Sequence, residues 1–183
     1  NIMKYVIVGF IKCGQISLYN KLKSEGHEVM RMEVATNPLG PKMIKKDCPD
    51  HQPIIIMRDP IKRIWSQYEY LSEKFKEFRE PMTFEQYCHY WRPHSLWFNE
   101  NPIFQSNYAE HLERWVDENT IIVYLEDLIK EPNFPRENEG RKKTKMSEKD
   151  RKFATRMLKE YQNVLKGRIK VAGTGKAEHD KLM

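Results

Sequence analysis

Residues 4–26, KYVIVGFIKCGQISLYNKLKSEG, decide the fold. Lys4–Gly9 reads as a buried strand, because its centre is an unbroken apolar run. Gly14–Glu25 reads as a helix with Ile16, Leu18, Tyr19 and Leu22 as its apolar side and Gly26 as its stop. Between them lies Gly9-Phe10-Ile11-Lys12-Cys13-Gly14, two glycines with four residues between. Glycines let a backbone curl until its amides point at one spot, and the helix start adds positive field. The segment is therefore an anion-binding candidate, with a plain strand-to-helix turn as the alternative.

Reading outward, His27–Val34 alternates as a second strand, and Pro53–Met57 is an apolar third strand of the kind found at the centre of parallel sheets. Thr120–Leu125 is a fourth. Residues 36–50 are rich in Pro, Gly and Lys and read mostly as loop. Asp59-Pro60 opens a helix that runs to about Arg79. Thr83–Trp91 is a shorter helix with Thr83 and Gln86 as a capping box. Ile103–Glu118 is another, with Tyr108, Leu112, Trp115 and Val116 at helical spacing. Residues 129–146 form a basic loop. Ser147 caps a last helix to about Leu165, and Gly167 ends it. Strands separated by helices imply parallel crossovers, so the fold class is α/β, and ligands belong at the carboxyl ends of the strands.

The chain has 183 residues, the size of one domain, expected over residues 1–172 with a frayed tail at 173–183. Hydrophobic residues make up 39% and charged residues 32%, and no apolar run approaches the 18 or so residues of a membrane span. Asn1–Gly9 runs straight into a strand pattern, so a secretory leader is not expected. Three cysteines without paired spacing argue against a disulfide framework or a four-thiolate zinc site. A reducing, cytoplasmic setting is expected. The net charge of +6 favours an anionic partner without naming it.

In a nucleotide-hydrolysing loop a Lys-Ser or Lys-Thr pair follows the second glycine, and the hydroxyl holds magnesium. Here those positions are Gln15 and Ile16, and the lysine is inside the loop at Lys12. The segment is built to hold an anion without the usual metal. A cysteine phosphatase needs an arginine six residues after its cysteine, where this chain has Tyr19. Arg58 ends the third strand at the ligand edge and offers a planar fork to a phosphate, with Ser66 eight residues on. Either residue is also explained by an ordinary structural role.

Arg58-Asp59-Pro60-Ile61-Lys62-Arg63-Ile64-Trp65-Ser66-Gln67-Tyr68 closely resembles the 3′-phosphate segment of the sulfotransferase family, Arg-Asp-Pro-x-x-Arg-x-x-Ser-x-Tyr. Lys12 and Gly14 match that family's 5′-phosphosulfate loop, Pro-Lys-Ser/Thr-Gly-Thr-Thr/Ser, whereas Ile11, Cys13, Gln15 and Ile16 depart from it. Tyr108–Trp115 and the YLEDL end of the fourth strand are similar to two further family segments, which read equally as packing and capping. The resemblance spans roughly residues 5–165. It implies an α/β, three-layer parallel sheet with flanking helices, the P-loop NTPase-like sulfotransferase fold. It further implies transfer of a sulfuryl group from 3′-phosphoadenosine 5′-phosphosulfate (PAPS) to a hydroxyl or amine, leaving adenosine 3′,5′-bisphosphate (PAP), with no metal.

By the resemblance, Lys12 stabilises the leaving group, and Cys13, Gly14, Gln15, Ile16 and Ser17 line the 5′-phosphate. Arg58 and Ser66 bind the 3′-phosphate, and Gly140, Arg141 and Lys142 form a basic lid. The family's general base comes from the segment after the first helix, where Glu33 and His51 are the candidates; Glu33 follows Lys12 by 21 residues. Trp97 and Phe98 would line an acceptor site. The expected partner is a small-molecule or glycan acceptor, not nucleic acid, and no oligomeric state is implied. Two rivals remain at this point: a nucleotide kinase, and a nucleotide- or polyanion-binding module of the same fold without transfer activity.

Overall fold

The computed structural model describes residues 1–10, 13–74, 82–90, 92–93, 99–115, 119–135 and 144–172. In chain order its elements are β1 (Lys4–Gly9), α1 (Gln15–Ser24), β2 (Glu28–Met32), α2 (Gly40–Asp47), β3 (Gln52–Met57), α3 (Pro60–Lys74) and α4 (Phe84–His89). Then follow β4 (Arg92–Pro93), β5 (Asn99–Glu100), α5 (Pro102–Ser106), α6 (Tyr108–Leu112), β6 (Ile121–Tyr124), α7 (Leu125–Leu128) and α8 (Glu148–Ala172). They fall into two compact units, Asn1–Asp59 with Arg114–Lys142, and Pro60–Glu113 with Lys143–Met183.

The first unit carries a four-stranded sheet in the order β2-β1-β3-β6, parallel throughout. The register pairs Val8 with Met32 on one side of β1 and Gly9 with Ile56 on the other. Ile54 pairs with Ile121. The two central strands supply the core: Val6, Ile7, Val8, Ile55 and Ile56 are wholly buried. All-parallel sheets are covered on both faces, which explains why these strands are apolar rather than alternating. β6 is half-buried, as a strand with one neighbour should be. The expected α/β class, a parallel sheet flanked by helices, is the fold observed.

Trp115 anchors the turn after β2. Its indole Nε1–H donates to the Ala35 carbonyl at 3.0 Å. The ring lies so close to Gly40 that a Cβ there would sit 2.6 Å from Cζ2. The Val34 carbonyl oxygen would be nearer still, at 2.4 Å, so no larger residue than Gly40 fits at the start of α2 between that backbone and the indole. Residues 40–47 are helix where the composition reads as loop: Pro41 falls in the first turn, where its missing N–H costs nothing.

The second unit is built on α3, α4, α5 and α8, with β4 and β5 as a short antiparallel pair. Ile61, Ile64, Phe84, Tyr87, Cys88, Ile103, Ala154 and Leu158 form its core. Phe84 meets both Trp65 and Tyr68, with ring centres 5.2 and 5.4 Å apart. The capping box of α4 is present: Thr83 accepts from the Gln86 amide while the Gln86 side chain accepts from the Thr83 amide. Ser147 caps α8, accepting from Asp150 N–H.

Two helix boundaries differ from expectation. The helix expected over 103–118 breaks at Asn107, whose ψ of 75° is not helical, giving α5 and α6. α8 runs through Gly167 to Ala172 rather than stopping. A glycine inside a helix costs only about 1 kcal/mol, too little to end it unaided.

Candidate functional site

Three loops leave the carboxyl edge of the sheet in the first unit. The loop after β1 enters α1 through Gly14, whose φ of 81° lies in the left-handed region that favours glycine. A Cβ on Gly14 would come within 2.7 Å of Leu125 Cδ1, so the start of α7 packs directly against this turn. Among the described residues no side chain caps α1, and its first turn holds no acid. The first amides of such a helix have no partner within the helix and favour an anion. Cys13 is wholly buried, Ser17 is buried, and Ile16 is 46% exposed. Ile16 was expected on the apolar side of α1; the buried side is instead Gln15, Ser17 and Leu18.

Gln15 folds back into the loop. Its amide Nε2 donates to the Phe10 carbonyl at 2.8 Å. A Cβ on Gly9 would overlap the amide, at 1.9 Å from Cδ and 2.1 Å from Nε2. The residue is 5% exposed, and its Oε1 has no hydrogen-bond partner among the described residues.

Arg58 follows β3 directly. Because Gly9 is level with Ile56, Arg58 emerges on the same edge as the β1 loop, half-buried. The next residue is held from β6: Glu126 Oε1 accepts from the Asp59 backbone N–H at 2.8 Å. The acid of the YLEDL segment thus fixes the chain immediately beyond Arg58. Glu33 follows β2, and since Met32 is level with Val8 it too lies at this edge, exposed to solvent.

His51 is not brought here. It precedes β3, one step before the pair Gln52–Tyr5, so it stands at the amino edge. There its Nε2 lies 3.4 Å from Glu28 at the start of β2. Five residues separate its level from that of the loop, about 16 Å along the strands. A base at that edge cannot reach a group seated on α1, so His51 is withdrawn.

Ser66 lies on α3 in the second unit, half-buried. Arg63, three residues earlier, is wholly buried. It donates through Nε to Ser106 Oγ (3.0 Å), Nη1 to Gln67 Oε1 (2.8 Å) and Nη2 to the Pro102 carbonyl (2.7 Å). That second arginine of the Arg-Asp-Pro segment is a strut between α3 and α5. Lys12, Gly140, Arg141, Lys142, Trp97 and Phe98 lie outside the described residues, as does the tail at 173–183. Among the described residues no three His, Cys, Asp or Glu side chains converge as a metal site, and no helix is long and apolar enough to cross a membrane.

The first strand of the parallel sheet thus turns through a left-handed glycine into α1, and Arg58 follows a neighbouring strand on the same edge. No protein-family model matches the chain, and no curated protein matches it. Among solved structures it is similar to the crystal structure of a sulfotransferase from Alicyclobacillus acidocaldarius, with a TM-score of 0.62. The two share 16% identity over 87% of this chain and 92% of that chain. At that identity the likeness shows the fold: this chain has the architecture of a sulfotransferase.

Proposed function

We propose that the protein is a PAPS-dependent sulfotransferase that moves a sulfuryl group to a hydroxyl or amine on a small molecule or glycan, without a metal. The observation that carries this reading is the pairing, on one sheet edge, of the uncapped α1 with Arg58. The Arg58–Ser66 segment and the sulfotransferase-like fold support it. The backbone amides of residues 14–17 suit the 5′-phosphate, and the Arg58 guanidinium suits the 3′-phosphate, a bidentate charge-assisted contact.

In the reaction the acceptor oxygen or nitrogen bonds to sulfur as the bond from sulfur to the bridging oxygen breaks. The acceptor's proton passes to a base, and negative charge collects on the departing bisphosphate. Glu33, exposed at this edge, would take the proton. Lys12, from its place in the sequence, would answer the growing charge. Glu126 acts indirectly, by fixing the backbone that follows Arg58.

The deciding measurement is calorimetric binding of PAP against AMP. PAP should bind far more tightly, and Arg58→Ala should erase most of the difference, a cost of about 1.5–3 kcal/mol. Equal affinity for the two nucleotides would refute the assignment. A second reading, a nucleotide- or polyanion-binding module without transfer activity, draws on the Gln15 amide inside the loop. It is distinguished by tight PAP binding with no single-turnover transfer from PAPS to any of a panel of phenols, sugars and amines.

A further inference from the structure

We propose that Met30, Met32 and Cys48 form a site for a soft monovalent metal ion, Cu(I), held by two thioethers and one thiolate. The site rests on the packing of β2 against the end of α2 and stands apart from the transfer reading above. Met30 and Met32 are two residues apart on β2, so their side chains share one face of the strand. Cys48 closes α2 as its C-cap and is 2% exposed. Its backbone is held on both sides: its N–H donates to the Ile44 carbonyl at 2.8 Å, and its carbonyl accepts from the His51 N–H at 3.1 Å. Its Sγ lies 3.4 Å from Met30 Sδ and 3.9 Å from Met32 Sδ. One sulfur from a helix end thus meets two from a strand that lies eighteen and sixteen residues earlier.

A thiol has one proton, so it serves one of the two thioethers as a donor and leaves the other facing sulfur. A cation in the place of that proton serves all three. Metal–sulfur bonds run about 2.3 Å, and three sulfurs at that distance around one ion in a plane stand about 4 Å apart. The Met32 contact already has that spacing. The Met30 contact has to open by about half an ångström, a small adjustment for an unbranched side chain with three rotatable bonds. The donor set selects the ion. Thiolate and thioether sulfur favour Cu(I), whereas zinc takes thiolate, imidazole or carboxylate. Among the described residues no three His, Cys, Asp or Glu side chains gather to suit zinc. Charge agrees, because one thiolate neutralises one monovalent ion, while a divalent ion would leave a buried positive charge. Binding replaces the Cys48 S–H bond by an S–Cu bond and releases the proton to solvent, with no change of oxidation state. Met30, 40% exposed, gives the ion a way in.

The test is anaerobic titration of the protein with Cu(I) against bicinchoninate, a coloured Cu(I) chelator, with Zn(II) titrated in parallel and X-ray absorption recorded on the loaded protein. The variants are Met30→Leu, Met32→Leu, Cys48→Ser and Cys48→Ala, each checked by its melting curve. Leucine keeps nearly the volume of methionine and removes the sulfur. Met43→Leu is the control, since Met43 lies on α2 but its Sδ faces the Asn37 amide. The parent should take one Cu(I) per chain from the chelator, with sulfur neighbours alone around the ion. Met30→Leu and Met32→Leu should each bind roughly tenfold or more weakly. Both cysteine variants should lose the ion, with Ala standing in if Ser fails to fold, and Met43→Leu should match the parent. A parent that takes no Cu(I), or holds Zn(II) as tightly, overturns the site. So does either Met30→Leu or Met32→Leu binding like the parent, or Cu(I) retained without Cys48, because the ion would then be captured adventitiously by some other thiol or by one thiol alone.

Discussion

Replacing Gly9 by alanine isolates the Gln15 contact from any ligand. Gly9 has an ordinary backbone conformation, since the positive φ values among the described glycines belong to Gly14 and Gly26. Alanine is thus tolerated by the chain itself, and its whole cost lies in what its methyl meets. That methyl would sit 1.9 Å from Gln15 Cδ, 2.1 Å from Nε2 and 2.3 Å from Oε1. No small rotation clears three atoms at once, so the amide must leave. Expulsion breaks the Nε2–Phe10 bond, worth about 1 kcal/mol, and exposes two methylenes at about 0.8 kcal/mol each. Hydration of the orphaned Oε1 returns about 1 kcal/mol. The net cost of Gly9→Ala should be about 1–2 kcal/mol. In a Gln15→Ala background those three atoms are gone, and the same change should fall within about 0.5 kcal/mol of neutral. Urea unfolding of the four proteins completes a double-mutant cycle with a coupling of about 1–2 kcal/mol. Equal costs of Gly9→Ala in both backgrounds would show that Gln15 does not lie over Gly9.

Gly14→Ala should cost about 2 kcal/mol in the same assay, mostly from forcing alanine to a φ of 81° and partly from turning Leu125 aside; a neutral result refutes the left-handed turn. Arg63→Ala should lower stability by at least about 3 kcal/mol by calorimetry, and Arg63→Lys should recover little, because a compact ammonium cannot span Ser106, Gln67 and Pro102. Burial, with the negative charges of Asp150 and Glu85, pushes the Cys88 thiol up to about 12 from 9.0. Above pH 9 the unfolded chain gives up this proton while the folded chain keeps it, so stability present below pH 9 is lost as the pH rises towards 12. Between pH 8 and pH 10 the parent should lose roughly 1 kcal/mol more than Cys88→Ala, and identical pH profiles would refute the assignment.

The four sheet strands, the α4 capping box and the Ser147 cap were legible because each depends on residues close in sequence. α2 was not: its Pro, Gly and Lys content is that of a loop, and what seats it is Trp115, some seventy residues away. Arg58 could be placed at the carboxyl edge because it ends the third strand, whereas Glu33, expected within the second strand, reaches that edge because β2 stops at Met32. His51 shows where such placement ends, because following the first helix says nothing about which edge a residue reaches until the parallel register is known. The inward turn of Gln15 was equally invisible. The resemblance put Gln15 against a phosphate, and only the missing Cβ of Gly9 makes room for its amide over the strand end. Arg63 read as part of a ligand motif, yet its three acceptors come from α3 and α5.

The strand order also has a consequence for how the protein is made. β3 can pair with β1 once residue 57 has left the ribosome, but its other partner begins only at Ile121, 64 residues later (121 − 57). At ribosomal rates of about 5–20 residues per second, the nascent chain waits roughly 3–13 seconds with one side of an Ile-Ile-Ile-Met strand unpaired. An open, apolar strand edge is the usual template for pairing with another chain. The second unit is written into that gap, so the first cannot close until most of the second has left the ribosome. Synthesis is therefore a stage at which this strand edge stands open to pairing with another chain.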